Sequence, residues 1–245
     1  MKKSFVLSVL LSCLMLVGCV DVLKNIQLDQ VLNMGSSAGS GLTSDEIISG
    51  LKEALIVGAI NSTALTSKTD GFNQNPLIRI PFPQEALKVK TTVEKLGSKS
   101  LVNDFELSMN RAAEEASKKA LPIFKSAITS MSISDGMGIL RGSNSAATEY
   151  LKAKTQNALI AEFTPVVNNA VQTVNVTKYW TPITSLYNRT TLLTGEPQVN
   201  TNLDQYITQK ALDGLFSLIA QEELKIRENP AARASEILKK VFGSK

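Results

Sequence analysis

Three polar residues recur at four-residue spacing near the middle of the chain: Glu106, Asn110 and Glu114, with Arg111 beside them. Residues four apart lie on one face of a helix, so these side chains form a single ridge. Paired carboxylates act as general acid and base, or bind a hard cation, where burial shifts their pKa. Two structural alternatives remain open. One is an exposed ridge with ordinary surface ion pairs, which we favour, and the other is a buried Arg111–carboxylate pair that fixes helix register.

A second candidate is the glycine-rich stretch 135–142, which begins at Asp135. It has the glycine density of a phosphate-binding loop, but it lacks both the Gly-Lys-Ser/Thr ending of the Walker motif and the preceding strand of a dinucleotide fingerprint. We interpret it as a short helix that Ser134 or Asp135 caps and Gly142 ends. A carboxylate enzyme would instead bring Asp135 and Glu114 into one pocket.

The third candidate is basic and lies near the carboxyl end, where Arg227 and Arg233 flank the helix break at Asn229-Pro230. The two arginines fit an anion site at the start of the last helix, where free N–H groups favour negative charge. They also fit a clamp between helices. We favour the clamp, because three glutamates within 222–228 supply partners.

The amino-acid composition argues against several kinds of catalytic and binding site. The 245 residues include 26 Lys and Arg, 22 Asp and Glu, two cysteines and no histidine. Without histidine, Ser-His-Asp and Cys-His catalysis and the usual tetrahedral zinc sites lack their parts. The basic residues form neither a stripe for nucleic acid nor a polybasic run for anionic lipid. We therefore predict no metal, no cofactor and no nucleic-acid partner.

The amino terminus carries a targeting pattern. Lys2 and Lys3 precede an apolar run from Phe5 to Leu16, which has the length of a secretory signal and is too short to span a bilayer. The run ends in Leu-Val-Gly-Cys19, which resembles the lipobox of bacterial lipoproteins, whose cysteine is acylated on its sulfur and becomes the mature amino terminus. The alternative is an ordinary signal peptide that leaves Cys19 free or removes it.

Several consequences follow from that resemblance. Val20 stands where an aspartate would mark inner-membrane retention, so the resemblance implies the periplasmic face of the outer membrane. Cleavage before Cys19 would remove Lys2 and Lys3 and lower the formal charge from +4 to +2. We predict a signal peptide at 1–18, a lipidated amino terminus with a Gly/Ser-rich flexible tether at 19–42, and a single helical domain at 43–245.

Apolar periodicity predicts an all-α fold, a multi-helix bundle with one short extended segment. Thr43 and Glu46 form a capping box for a first helix that runs to about Asn61. Two prolines exclude helix from 77–83, which we interpret as extended and pinned to the core. Further helices are predicted at 84–96, 102–120, 123–131, 135–140, 146–163, 165–176, 203–227 and 231–242, with a short helix to about 189 after a turn at 181–182.

Several stretches together resemble one uncharacterised bacterial family, domain of unknown function 4197. The resemblance covers about 42–243 and supplies no catalytic residues, while Gly136 departs from the alanine that the family pattern favours and leaves the rigidity of its short helix open. The candidate binding or clamp residues are Arg79, Asn110, Arg111, Glu114, Asp135, Arg227 and Arg233. The matching stretches are Gly50–Leu55, Ile78–Pro81, Met109–Glu114, Pro122–Phe124, Ala146–Tyr150, Leu203–Tyr206, Lys210–Phe216 and Ile226–Pro230.

These observations lead to three functional expectations. The first is a non-enzymatic protein that is held to the membrane by a lipid on Cys19 and binds another envelope component through its helical surface. The second is a carrier or sensor of an apolar ligand in a cavity of the bundle. The third, which we favour least, is an enzyme that uses carboxylates such as Glu114 and Asp135, with or without a divalent cation.

Overall fold

The computed structural model describes residues 43–173, 176–195 and 203–229, together with Arg233 and Lys239. The predictions for the signal segment, Cys19, the tether and most of the terminal helix at 231–242 lie outside the described residues. Those for the family-like region lie largely within them.

The described chain is an all-α bundle without strands, as the periodicity predicts. Its longest helices form the core layer, and shorter helices cover the sides. The helices are α1 Ser44–Ser67, α2 Leu87–Lys95, α3 Lys99–Ser117, α4 Ala120–Thr129, α5 Ile133–Arg141, α6 Ala146–Thr173, α7 Val176–Thr194 and α8 Leu203–Glu228.

Two helix ends form as their residues predict. At the start of α1, Thr43 Oγ1 accepts from the Glu46 N–H at 3.2 Å, and the Thr43 N–H donates to Glu46 Oε2 at 2.8 Å. This is the predicted capping box. After α2, Gly97 adopts φ +85°, a backbone conformation that glycine reaches at little cost and that lets the chain turn into α3.

The predicted helix boundaries were wrong mainly at two prolines. We expected Pro165 to start a new helix and Pro182 to follow a turn, but α6 and α7 run through both residues. Each helix buries apolar residues on both sides of its proline, including Phe163 and Val167 in α6 and Trp180 and Ile183 in α7. Burial on this scale outweighs the one hydrogen bond that a proline removes.

Pro122 does mark an interruption, although the break precedes it. Helix α3 ends at Ser117 and α4 begins at Ala120, which places Pro122 in the first turn of α4. The first-turn N–H groups of a helix have no intrahelical acceptor, so proline is tolerated there.

Helix α8 is the centre of the bundle and packs against α1, α3 and α6. Its buried face includes Ile207, Ala211, Leu215 and Ile219. An aromatic cluster of Phe82, Phe105 and Trp180 joins the chain before α2 to α3 and α7, with the Phe105 and Trp180 rings stacked at 4.8 Å. None of the described helices combines the length and apolar character that a membrane span requires.

The segment 68–83 links α1 to the 3₁₀ turn before α2 and lies along α3 and α8. Its alternate residues Ile78, Ile80 and Phe82 are buried, so it adds an apolar underside to the core. Gly214 of α8 permits the close approach, because a Cβ there would lie 2.7 Å from the Phe72 ring and 3.1 Å from Ile78 Cβ.

Candidate functional site

The ridge on α3 is buried, which corrects the exposed ridge that we favoured. Glu106 and Glu114 are each 4% exposed, and Asn110 is completely buried. Helical spacing placed these residues on one face correctly, but it could not show that the segment 68–83 covers that face.

The side-chain amide of Asn110 bonds to both the N–H and the carbonyl of Ile80. The Ile80 N–H donates to Asn110 Oδ1 at 2.8 Å, and Asn110 Nδ2 donates to the Ile80 carbonyl at 2.9 Å and to the Glu106 carbonyl at 2.7 Å. Residues 76–78 form a turn, not the extended chain predicted for them. A buried backbone outside a helix or sheet needs partners for both of its polar groups. The amide of Asn110 supplies them in place of a neighbouring strand.

Glu114 bonds the start of the same segment. Its Oε1 accepts from the N–H groups of Phe72 at 3.1 Å and Asn73 at 3.4 Å. Its Oε2 pairs with Arg111 Nη1 at 2.7 Å, while Arg111 Nη2 reaches Asp70 Oδ1 at 2.8 Å. The hydrogen bond to Glu114, the largest cause, together with both carboxylate charges, raises the pKa of Arg111. The arginine–carboxylate pair therefore connects α3 to the segment 68–83, rather than one helix to another.

Glu106 completes the ridge and is the contact of Arg79. Arg79 Nη2 lies 2.8 Å from Glu106 Oε2, and Lys90 Nζ lies 2.6 Å from Glu106 Oε1. The two cations are partly exposed at the rim, whereas the carboxylate between them is buried. Glu106 thus connects the segment 68–83, α2 and α3.

Asp135 is a helix-capping residue, and the cap differs from the one we predicted. Ser132, rather than Ser134 or Asp135, is the N-cap of α5, and Asp135 is the third helical residue of a capping box. Hydrogen bonds from the hydroxyl and N–H of Ser132 lower the pKa of Asp135. Sequence spacing alone allowed either cap, because three serine or aspartate side chains lie within four residues.

Asp135 and Glu114 do not share a pocket. Gly136, next to Asp135, packs against Ile48 near the start of α1, whereas Glu114 bonds Phe72, just beyond the end of that helix. The length of α1 between these points is about 28 Å at 1.5 Å per residue. The convergence that a carboxylate enzyme would need is absent for this pair.

Gly136 lies where α5 packs closely against α1. A Cβ at this position would meet Ile48 Cδ1 at 2.2 Å, so α5 and α1 approach more closely than alanine allows without movement of that side chain. The short helix forms nonetheless, with its cap in place.

Near the start of α6, Glu223 of α8 is a buried cap. Its Oε1 accepts from the Ala147 N–H at 3.0 Å, and its Oε2 accepts from the N–H and the hydroxyl of Thr148, both at 2.8 Å. Arg227 Nε donates to Glu223 Oε1 at 2.9 Å. A carboxylate at a helix amino terminus satisfies free N–H groups and is favoured by the helix dipole.

The two candidate arginines bind backbone carbonyls at helix carboxyl ends. Arg227 Nη2 donates to the Ile139 carbonyl of α5 at 3.0 Å. Arg233 Nε donates to the Ile226 carbonyl at 3.1 Å, and its Nη2 donates to the Arg227 carbonyl at 3.0 Å, both in the last turn of α8. Arg227 therefore acts as the clamp that we favoured, with Glu223 as its partner; the alternative anion site involves the start of the terminal helix, which lies outside the described residues.

The candidate residues within the described chain are thus committed to internal contacts. A cavity of about 20 Å³ lies beside Glu223 and Arg227 among apolar side chains of α1 and α8. That volume is close to the space one water needs. Within the described ranges, no group of three or more acidic or cysteine side chains is arranged to hold a metal ion.

Sequence reasoning named Glu223 only among the possible partners of the arginines and did not predict its cap on α6, and it did not single out Asp70 or Lys90. Glu223 caps α6 by accepting from Ala147, which lies 76 residues earlier in the chain, so no local pattern could show it. For Asp70 the sequence held only a weak signal, its place in a polar stretch that is typical of a turn. Asp70 has a positive φ of 63°, which aspartate tolerates better than most residues. Its carboxylate also accepts hydrogen bonds from Asn73 and Gln74.

The fold and these contacts define an all-α bundle in which buried carboxylates and arginines satisfy backbone groups of neighbouring elements. The chain belongs to a family described as protein of unknown function (DUF4197), whose model matches residues 41–243. No curated protein and no solved structure gives a significant match to the chain.

Proposed function

We propose that this protein is a lipid-anchored, non-enzymatic binding module of the bacterial cell envelope, held by Cys19 at the periplasmic face of the outer membrane. The observation that carries the proposal is the sequence Leu-Val-Gly-Cys19 after a cationic start and an apolar run of secretory length. The Gly/Ser-rich stretch at 35–41 would then separate the anchor from the helical domain.

Internal use of the candidate residues supports a non-enzymatic role. Glu106 and Glu114 bond the segment 68–83, and Glu223 caps α6. Catalytic acids and bases need an open side toward a substrate. These carboxylates each accept several hydrogen bonds from their own chain, although Glu114 also lines, with Arg111, an open cleft of about 550 Å³.

The size of the apolar cavity between α1, α6 and α8 argues against an apolar ligand at that place, while wider open clefts of about 550 and 580 Å³ lie beside α3 and α6 and beside α4 and α6. Sites for small apolar ligands typically enclose about 300 Å³ or more, whereas the apolar cavity between α1, α6 and α8 has a volume of about 20 Å³. An acyl chain would have to separate these helices in order to enter. A binding role at the surface needs no such change.

Lipidation is tested by intact-mass analysis of the protein isolated from its native membranes, with Cys19→Ala as the matched variant. We expect the wild type to begin at Cys19 with the added mass of fatty acyl groups and to fractionate with outer membranes. Cys19→Ala should lose both properties. A bare thiol at Cys19 and recovery from the soluble periplasm would refute the anchor.

The binding role is tested separately by crosslinking in intact cells, followed by purification of the protein. We expect a discrete envelope component to be recovered with the wild type and to decrease with the mislocalised Cys19→Ala variant. Turnover of an envelope metabolite by the purified protein would refute the non-enzymatic role without affecting the anchor.

A further inference from the structure

The most exposed large apolar residues of the described chain lie together at the carboxyl end of α7. Leu192 and Leu193 are 80% and 91% exposed, whereas the other large apolar residues on the described surface are at most 53% exposed. Helix α7 packs against α2, α3 and α6, and the last buried residue in its described part is Thr191. The two leucines therefore extend past the contacts that hold the helix.

The backbone of this helix end is largely satisfied from within. The Thr190 hydroxyl donates to the Tyr187 carbonyl at 2.7 Å, and the Thr191 hydroxyl donates to the Asn188 carbonyl at 2.8 Å. Gly195, with φ +71°, closes the helix by donating its N–H to the Thr191 carbonyl at 2.8 Å. Internal hydrogen bonds lower the cost of moving a backbone out of water.

The charges of α7 suit a phospholipid surface. The charged residues of the helix are Lys178 and Arg189, both basic, and the next acidic residue in the sequence is Glu196. Arg189 is exposed and lies three positions before Leu192. An arginine at this distance can stay among the lipid headgroups while the leucines enter the apolar boundary.

We propose that the carboxyl end of α7 inserts Leu192 and Leu193 into the interface of a lipid bilayer. Two leucines supply far less area than the roughly 1,200 Å² that a specific protein interface buries. Apolar side chains at a helix surface, by contrast, enter the boundary between headgroups and acyl chains without a shaped partner. A bilayer is therefore the partner that this small apolar tip fits best.

The inference rests on the proposed anchor, which keeps a bilayer within reach of the domain. Residues 20–42 span at most about 80 Å when fully extended, whereas α6, with 28 residues, is about 42 Å long. Tethering also converts the contact into an intramolecular one with a high effective concentration. A weak insertion therefore suffices to hold the tip of α7 at the bilayer.

The test places a polarity-sensitive fluorophore at the tip of α7 in the full lipidated protein. Leu193→Cys is labelled on its thiol and reconstituted into vesicles of phosphatidylethanolamine and phosphatidylglycerol, with or without bromine on the acyl chains. We expect the brominated lipids to quench the tip label about two-fold or more. Leu77→Cys, at another exposed leucine, is the matched control and should be quenched little.

A charge at the neighbouring leucine tests whether the contact is apolar. Leu192→Asp, added to labelled Leu193→Cys, should abolish the quenching, because a carboxylate is costly to bring into the apolar boundary. The Tm in detergent should stay unchanged, because Leu192 is exposed and packs little within the protein. Leu77→Asp, added to the same labelled protein, should leave the quenching intact.

Vesicle flotation and intact mass, measured on the same samples, separate this proposal from the anchor. Flotation without quenching at the tip, or quenching that persists in Leu192→Asp, would overturn the insertion and leave the anchor intact. Quenching that requires added envelope proteins would identify a protein partner and would also overturn it. Quenching with a bare thiol at Cys19 would overturn the anchor alone, and failure to float would overturn both.

Discussion

The segment 68–83 and the junction of α5, α6 and α8 both depend on buried glutamates, but the opposite charge lies in different places. At the segment, the side chain of Arg79 is 44% exposed while the side chain of its partner Glu106 is 5% exposed. At the junction, the side chains of Arg227 and Glu223 are 7% and 5% exposed. The rim cations of the segment retain water when a contact is lost. Arg227 does not, so the junction should fail as a unit and the segment in steps.

Loss of the carboxylate at the junction should have the largest effect. Glu223→Ala would leave the Arg227 guanidinium buried without its counter-charge and two N–H groups of α6 without an acceptor. We expect a loss of about 3–5 kcal/mol in the free energy of unfolding, measured by urea denaturation.

Glu222→Ala is the matched control, because the neighbouring carboxylate bonds Lys225 and Asn61 at a more exposed position. We expect it to cost about 1 kcal/mol or less. Equal losses for the two variants would contradict the contrast between buried and rim charges.

Among substitutions at the segment 68–83, the largest loss in the free energy of unfolding should come from replacing the uncharged residue Asn110. Asn110→Ala removes the partners of both the Ile80 N–H and the Ile80 carbonyl, which are buried. We expect a loss of about 2–3 kcal/mol in the free energy of unfolding. Hydrogen exchange and proteolysis should increase first within 68–83 and leave the junction protected.

Asn103→Ala, on the exposed side of the same helix, is the control for helix propensity and should change little. Uniform loss of protection across the whole bundle in Asn110→Ala would show that the segment is not an independent unit.

Gly214 tests the apolar underside of the segment. Gly214→Ala would place a Cβ 2.7 Å from the Phe72 ring, so we expect a loss of about 1–3 kcal/mol from overpacking. Gly138→Ala is the matched change in α5, where nothing lies within 4 Å of the added Cβ. It should stabilise the protein by about 0.5–1 kcal/mol through helix propensity. Thermal denaturation of both variants measures the difference, and a stabilised Gly214→Ala would contradict the close packing.

Periodicity predicted the elements of this bundle well, because most of the information needed for a helix lies within the helix itself. The capping box at Thr43, the turn at Gly97 and the span of α8 from Leu203 are local patterns, and the structure confirms them. Boundaries failed at Pro165 and Pro182, where packing against other helices outweighs the local cost of proline.

The candidate sites were predicted less well, because their meaning depends on contacts that are distant in sequence. Spacing placed Glu106, Asn110 and Glu114 on one face, but only the position of the segment 68–83 shows that the face is buried. Glu223 bonds residues about 75 positions away. The sequence supplies the charges, and the tertiary fold decides whether they face solvent, a ligand or the backbone.

Arg79→Met should show how little a rim cation contributes. Arg79 is partly exposed, and Lys90 remains 2.6 Å from the other oxygen of Glu106. We expect a loss of about 0–1 kcal/mol, less in high salt. The corresponding change at the junction, Arg227→Met, should cost several times more, because Glu223 would keep a buried charge without a cation. Equal losses in urea denaturation would remove the distinction between the two regions.

The smallest effect should come from the surface cap of α5, which is the exposed counterpart of the buried Glu223 cap on α6. Hydrogen bonds from Ser132 hold the pKa of Asp135 below its ordinary value of 3.8. Its ionised form therefore stabilises the fold above the unfolded-state pKa, and this contribution is lost as the pH falls through the lower folded-state value. Asp135→Asn keeps a side-chain acceptor for the cap but cannot titrate. The difference in unfolding free energy between wild type and Asp135→Asn should thus be small near neutral pH and should shrink further below pH 3.8. A difference that grows on acidification would mean that the cap depends on the protonated carboxyl.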